Sequence, residues 1–230
     1  MKICFYSDAH GNLEALETLL SQSEVRKADR TIFVGDLVGY GANPNEVIER
    51  IREIKSVAVM GNHDYATVTG DTHWFNPRAA AAIHWTREVI SEENLEYLKS
   101  LPKRFLGGLD EVRVGVFHGS PRDPISEYVY AHGNDWLFRY YLEDLGVNAL
   151  VLGHTHIPYL VKLGDKGVAL NPGGLGQPRD GDPRLSYAIL DTTTLRVDFH
   201  RVEYDVSKTA KKILEAGLPE FLAKRLFLGI

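Results

Sequence analysis

Lys2-Ile3-Cys4-Phe5-Tyr6-Ser7-Asp8-Ala9-His10-Gly11-Asn12-Leu13 opens the chain with a strand, an aspartate and a histidine two residues apart, and a helix start. Lys2–Ser7 is an apolar, aromatic-rich run of strand length. Asn12 caps a helix whose Leu13, Leu16, Leu19 and Leu20 share one face. Working outward, Thr31–Gly35 reads as a second strand. Pro44 opens a second helix with Val47, Ile48, Ile51 and Ile54 inward, and Ser56–Met60 is a third strand. This βαβαβ rhythm implies parallel strands with right-handed crossovers.

The middle of the chain reads as helical. Asn76-Pro77 starts a helix striped by Ala79, Ala82, Ile83, Thr86 and Ile90, and Ser91 caps another bearing Leu95 and Leu98, stopped by Pro102. Val112–Phe117 and Ala149–Gly153 read as strands on either side of a helix over about 134–145. The pattern then turns to antiparallel β. Tyr159–Leu163 and Val168–Leu170 flank Gly164-Asp165-Lys166-Gly167, and Ser186–Leu190 and Leu195–Val202 flank a threonine-rich turn. A tail over about 207–227 reads as helical. Its Leu218, Phe221, Leu222, Leu226 and Phe227 line a face for the core or for a second subunit, so an oligomer through this helix is an open expectation. With no linker, repeat or low-complexity segment, one domain over 1–230 is expected: two mixed sheets packed face to face, with helices outside.

The chemistry lies where strands end. Ser7 is followed by Asp8-Ala9-His10, Gly35 by Asp36, and Met60 by Gly61-Asn62-His63-Asp64; Phe117 is followed by His118, and Gly153 by His154-Thr155-His156. Open α/β sheets place their crevices at such carboxyl ends. Residues i and i+2 of an extended segment point the same way, so Asp8 with His10 and His154 with His156 each aim two donors at one crevice. Glycines before Asp36, Asn62 and His154 allow tight turns and close backbone approach. Asp8, His10, Asp36, Asn62, His118, His154 and His156 make seven candidate ligands, more than one octahedral ion with waters requires. Two ions bridged by a carboxylate fit better. A nitrogen and oxygen set without thiolate suits Mn, Fe, Co, Ni or Zn. Two divalent ions against two carboxylates leave a positive site, which attracts an anion and activates water for in-line displacement at phosphorus.

These motifs, taken together and in this order, resemble the calcineurin-like metallophosphoesterases. The resemblance implies a four-layer α/β/β/α sandwich, a second α/β reading in agreement with the strand and helix pattern. It implies that Asp8, His10, Asp36 and His156 hold one metal and that Asp36, Asn62, His118 and His154 hold the other. Two divalent metal ions would then generate the attacking hydroxide. It makes His63 a catalytic residue that hydrogen-bonds the phosphoryl oxygen or protonates the leaving group, with Asp64 as its supporting partner. At the second motif, Gly35-Asp36-Leu37-Val38-Gly39-Tyr40-Gly41 carries tyrosine where phosphoprotein phosphatases and symmetrical dinucleoside tetraphosphatases carry a phosphate-gripping arginine. The chain therefore looks closer to the small prokaryotic phosphodiesterases. Its Asn171-Pro172-Gly173-Gly174 resembles the segment that follows their last motif. Arg179 or Arg184, in the polar loop beyond, is expected to supply the missing phosphate contact.

Composition narrows the alternatives. The 230 residues carry 44% hydrophobic and 25% charged side chains with a net charge of −5, which gives no overall case for a nucleic-acid polymer or membrane partner. The substrate expected is a small phosphate ester. The single cysteine, Cys4, excludes an internal disulfide and reads as core. Met1-Lys2 enters the first strand without any signal-peptide pattern, so the cytoplasm is the expected compartment. Phosphomonoesterase or phosphoprotein phosphatase activity is the enzymatic alternative. A non-catalytic metal-binding scaffold of the same fold is the other, disfavoured because every motif position is intact. His73, His84, His132 and His200 belong to no motif, and the Trp74–Trp85 region is either a core contact or a border of the substrate entrance.

Overall fold

In a computed structural model describing residues 1–230, the opening run forms β1 (Lys2–Tyr6), followed by α1 (Leu13–Ser21), a short α2 (Ser23–Arg26) and β2 (Arg30–Phe33). Next come α3 (Pro44–Glu53), β3 (Val57–Ala58), α4 (Asn62–Thr69), α5 (Pro77–Val89) and α6 (Glu92–Ser100). The second half holds β4 (Arg104–Leu109), β5 (Val112–Phe117), α7 (Asp135–Leu145), β6 (Ala149–Leu152), β7 (Tyr159–Lys162) and β8 (Val168–Asn171). It closes with β9 (Leu185–Asp191), β10 (Arg196–Val202), α8 (Val206–Glu215) and α9 (Glu220–Lys224).

The strands make two five-stranded mixed sheets, ordered β10-β9-β1-β2-β3 and β4-β5-β6-β8-β7. The first keeps the expected parallel β1, β2 and β3, and adds β9 antiparallel to β1. In the second, β5, β6 and β8 are parallel, with β4 and β7 antiparallel at the edges. Alternation along the strands assigns the layers. Ile3 and Phe5 of β1 face Val114, Val116, Val151 and Leu170 between the sheets. Cys4, Tyr6 and Phe33 face outward against Leu16 and Leu19 of α1 and Val47, Ile48 and Ile51 of α3. On the far side, Phe117, Leu150 and Leu152 pack on Phe138, Tyr141 and Leu142 of α7. The order helix, sheet, sheet, helix is the four-layer sandwich expected. Cys4 is fully buried, and burial pushes its thiol well above the ordinary range.

The helix starts follow from local chemistry. The Asn12 side chain accepts from Ala15 N (3.1 Å), Asn76 from Arg78 N and Ala79 N, and Ser91 from Asn94 N. Three elements depart from the expectations. Strand β4 was not foreseen; Gly107-Gly108 dilutes its pattern, and as an edge strand its alternation is only half-buried. Helix α4 grows directly out of Asn62-His63-Asp64, so the motif is also its first turn. The tail is two helices, broken at Gly217-Leu218-Pro219, where Gly217 has φ +72°. Leu218, Leu222 and Leu226 are buried on this chain's own Ala79, Ala82, Ala210 and Ile213, while Phe221 and Phe227 stay exposed. No helix is long and apolar enough to cross a membrane.

Candidate metal centre

All seven candidate ligands are buried and lie together where β1, β2, β3, β5 and β6 end. The route by which they converge differs from an extended reading of Asp8-x-His10 and His154-x-His156. Asp8 (φ 59°), His10 (49°), Asp36 (63°), His154 (66°) and His156 (59°) all occupy the left-handed region. Non-glycine residues there cost about 1–2 kcal/mol each. Backbone bonds hold the turns: Asp8 N donates to Gly35 O (2.9 Å), His10 N to Asp36 O (3.0 Å) and Thr155 N to Gly153 O (2.7 Å). β1, β2 and β6 thus end in sharp turns that swing side chains over the sheet edge. Strain concentrated on such residues marks a functional site.

Asp64 explains how the Asp36 loop keeps its shape. Its Oδ2 accepts from Asp36 N (2.9 Å) and Gly61 N (3.0 Å), and its Oδ1 from Leu37 N (2.9 Å) and Val38 N (3.2 Å). Both oxygens are thereby engaged by backbone, so Asp64 braces the loop and does not support the His63 ring. Asp36 Oδ1 accepts from His63 N (2.8 Å), which leaves Oδ2 facing the site. Gly61 is required by close approach: a Cβ there would lie 2.1 Å from Asp36 Oδ1. Gly39 (φ +87°) is required twice over, since its Cβ would meet His63 Nδ1 at 2.3 Å. Across the crevice, Asn171 Nδ2 donates to Gly153 O (2.6 Å) and Thr155 Oγ1 (3.0 Å), tying the Asn-Pro-Gly segment to the last motif.

The imidazoles are oriented by backbone carbonyls, and this fixes where their lone pairs point. Nδ1 of His10 bonds Val38 O (3.0 Å), Nδ1 of His156 bonds Gln177 O (2.5 Å), and Nδ1 of His118 bonds Val34 O (2.8 Å). His154 instead bonds Ser126 O through Nε2 (3.0 Å). A nitrogen facing a carbonyl carries the proton, so the other nitrogen turns its lone pair into the site. Burial keeps His10 and His156 well below the usual histidine range and takes His154 down to about 3, so these three are neutral. The Nε2 atoms of His10 and His156 then oppose each other at 3.3 Å, with Asp8 Oδ1 3.3 Å from the latter and Asp36 Oδ2 3.5 Å from the former. In the neighbouring cluster, His118 Nε2 lies 3.2 Å from His154 Nδ1, 3.1 Å from Asn62 Oδ1 and 3.4 Å from Asp36 Oδ2.

Both groups consist almost wholly of acceptors. Asp8 Oδ1 and Oδ2 and Asp36 Oδ2 are buried with no hydrogen-bond partner. Buried carboxylate oxygens and facing lone pairs without compensation are unfavourable by several kcal/mol on the order of magnitude of a lost buried ion-pair partner. Burial accordingly pushes the Asp8 carboxyl up to about 7. Burial opposes ionisation of Asp36 as well, but the facing, protonated His118 holds it below the ordinary carboxylate range. His118, despite burial, is raised to about 9 by Asp36 and then Asp8. Its proton does by itself what a cation would do for the whole cluster. Ligand atoms of Asp8, His10 and His156, and those of Asp36, His118 and His154, lie within 4.8 Å of one another in each group. Each group could hold a metal ion, and Asp36 Oδ2 approaches both, 3.5 Å from His10 Nε2 and 3.4 Å from His118 Nε2.

Around this centre the remaining residues fall into place. The His63 ring stands edge-on to His10 (centroids 4.7 Å) and against Tyr40 (4.4 Å), and burial lowers it to about 4. Arg179 approaches from the polar loop with Nη2 3.4 Å from Tyr40 Oη, and its Nε is buried without a partner. Arg184 is not gathered in: it is turned to solvent and bound through Nε and Nη2 to Asp182. That bidentate pair forms locally, two residues away, and competes with any reach toward the crevice. Of the histidines outside the motifs, His73 pairs with Asp71, His84 with Thr72, His132 is exposed, and His200 stacks on Tyr187. Trp74 lines the cleft over His63 together with Phe75 and Asn76, while Trp85 packs into the core. Tyr128 escaped the sequence reading: its ring stacks on His154 with centroids 3.7 Å apart. Its only signal was an aromatic residue in a polar loop after His118.

Fold and site define a calcineurin-like phosphoesterase, and the chain belongs to that superfamily: its domain pattern matches residues 1–195. The chain is 40% identical to an uncharacterised protein of Methanocaldococcus jannaschii, covering 99% of this chain and 98% of that one. It is 27% identical to the phosphodiesterase YfcE of Escherichia coli, covering 86% and 91%. A crystal structure of a metallophosphoesterase from Sphaerobacter thermophilus, 38% identical, superposes with a TM-score of 0.85 over 100% of this chain and 99% of that one.

Proposed function

We propose that this protein is a phosphodiesterase that hydrolyses small phosphate esters at two divalent metal ions. Asp8, His10, Asp36 and His156 would hold one ion, and Asp36, Asn62, His118 and His154 the other. The observation that carries the reading is the pair of lone-pair clusters, oriented by Val38, Gln177, Val34 and Ser126 carbonyls and sharing Asp36. Similarity to YfcE, a phosphodiesterase, supports the diester preference.

Bound cations supply Lewis-acid activation of water and neutralise charge growing on the phosphoryl oxygens. The residues of the chain do the rest. Neutral His63, held over the centre by Gly39 and Tyr40, has one N–H to give to a phosphoryl or leaving oxygen. Arg179 brings a guanidinium to the same side, in place of the arginine absent from position 40. Asp64 keeps Asp36 in register. Hydrolysis adds water across one P–O bond and yields an alcohol and a phosphate monoester.

The test is hydrolysis of bis-p-nitrophenyl phosphate by protein loaded with Mn, Fe, Co, Ni or Zn, beside p-nitrophenyl phosphate. Turnover that favours the diester and disappears in Asp36→Asn is expected. No turnover with any of these metals defeats the proposal, and preference for the monoester replaces it with a phosphomonoesterase.

A further inference from the structure

The family pattern ends at residue 195, yet the segment beyond returns to the site. Arg225, just after α9, places its guanidinium 5.8 Å from the centroid of the Tyr40 ring, and Arg179 stands 5.9 Å from the same ring. Phe221 of α9 is flanked by Arg225 at 5.4 Å and by Arg78, from the first turn of α5, at 4.1 Å. Arg78 and Arg225 line a groove of about 470 Å3 that has no acidic side chain in its lining, and Arg179 stands by the Tyr40 ring at its border. Tyr40 and Asn76 line both this groove and the cleft over His63, so the two adjoin.

None of the three forms an ion pair with an Asp or Glu side chain. The acidic residues nearest to them in sequence are engaged elsewhere: Glu220 with Lys224 (2.7 Å), Asp180 with Arg201 and Asp71 with His73. Arg225 is instead held at the end of the chain: its Nε donates to a terminal oxygen of Ile230 (2.5 Å), and Gln177 turns its side-chain oxygen toward it, which leaves the Nη groups without an Asp or Glu partner. Arg179 has a buried Nε with no partner. Burial and then the neighbouring Arg179 push Arg225 down to about 10, as expected for like charges in proximity. On a chain of net charge −5, three guanidinium groups without an Asp or Glu partner beside one cleft are a local reversal of sign. Guanidinium groups free of acidic side chains suit phosphate oxygens.

We propose that Arg225 and Arg78, with Arg179 at the boundary, form a second anion-binding subsite that selects phosphate esters carrying a further phosphate group. The inference rests on the phosphodiesterase reading for the reaction at the metal centre and adds the substrate class. The scissile phosphate lies at the centre, and the second phosphate, across the Tyr40 ring, binds intact. The C-terminal segment is therefore a specificity element.

A matched pair of probes isolates that second group: p-nitrophenyl thymidine 5′-phosphate and the same compound bearing a 3′-phosphate. The ratio of their kcat/KM values is compared in the metal-loaded wild-type protein, Arg225→Gln, Arg225→Lys and Arg78→Gln. A ratio of at least ten in favour of the 3′-phosphorylated probe is expected. It should fall at least fivefold in Arg225→Gln and in exposed Arg78→Gln, and persist largely in Arg225→Lys. A ratio near one in the wild type, or a ratio unchanged in both Gln variants, overturns the proposal. Misfolding of Arg225→Gln lowers both rates and leaves their ratio intact, so Arg78→Gln decides that case. Calorimetric binding of thymidine 3′,5′-bisphosphate against the 5′-monophosphate is measured in parallel. If neither probe is hydrolysed but the bisphosphate binds at least tenfold tighter, and Arg78→Gln removes the difference, the subsite stands while the reaction assignment fails.

Discussion

Replacing Asp64 by asparagine keeps the shape of a fully buried side chain but converts one acceptor oxygen into a donor. Whichever oxygen is lost, two backbone N–H groups face an NH2: Asp36 N and Gly61 N, or Leu37 N and Val38 N. Hydrogen bonds to a charged group contribute about 1.5–3 kcal/mol each, and a buried donor left without a partner costs about 1–3 kcal/mol. Two such losses destabilise the protein by about 3–6 kcal/mol, a large part of the roughly 5–15 kcal/mol typical of a folded domain. Urea unfolding in EDTA, where bound metal adds nothing, measures this as a lowered midpoint with unchanged slope. Because Asp64 braces the loop carrying Asp36, the variant should also bind metal more weakly. Activity lost at limiting Mn should recover substantially at saturating Mn. An unfolding free energy within about 0.5 kcal/mol of wild type, on the order of ordinary surface substitutions, would refute the bracing role. So would activity that stays abolished with full metal content, because that behaviour belongs to a catalytic group.

Three other outcomes follow from the same structure. His63→Ala should lower kcat on bis-p-nitrophenyl phosphate by about 10²–10⁴-fold while metal content, read by elemental analysis, stays at the wild-type level. Arg179→Ala should reduce kcat/KM on that diester at least tenfold, a loss of about 1.4 kcal/mol in transition-state binding, whereas Arg184→Ala, which breaks only a solvent-side pair with Asp182, should leave it unchanged. Glu14 links α1 to α8 through Lys212 (2.6 Å) and Lys208 (3.2 Å); burial opposes its ionisation, but these ammonium groups hold its carboxyl below the ordinary range. A carboxyl with a depressed folded-state pKa contributes stability above its unfolded pKa and loses it as pH falls through the folded one. The wild-type minus Glu14→Gln difference in unfolding free energy should therefore be positive at pH 7 and shrink on acidification below about 4.3; a pH-independent difference contradicts the pairing.

Much of the site was legible because its donors sit directly after apolar strand runs, and strand ends are visible in hydrophobic pattern. Tyr6 to Asp8, Phe33 to Asp36 and Phe117 to His118 each show the switch from core to chemistry. Asp8 and His10, and His154 and His156, do lie in one crevice, but on left-handed and not extended backbone. Nothing in Asp8-Ala9-His10 reveals that both flanking residues take left-handed φ, because the strain is held by tertiary bonds from Gly35 and Asp36. The same limit hid the role of Asp64, three of whose four backbone partners, at Asp36, Leu37 and Val38, lie far along the chain. Edge strand β4, with two glycines, and helix α4, with alternating polar residues, lack periodic signal. Tyr128 and Arg225 join the site only through long loops and a C-terminal segment, and no spacing rule relates them to the motifs.

The central claim is that seven side chains on five strand ends hold a pair of cations about Asp36. Anomalous diffraction from crystals of Mn-loaded protein addresses it most directly. Two peaks are predicted, one enclosed by Asp8, His10 and His156, the other by Asn62, His118 and His154, with Asp36 touching both. A single peak, peaks elsewhere, or none at saturating Mn would contradict the account.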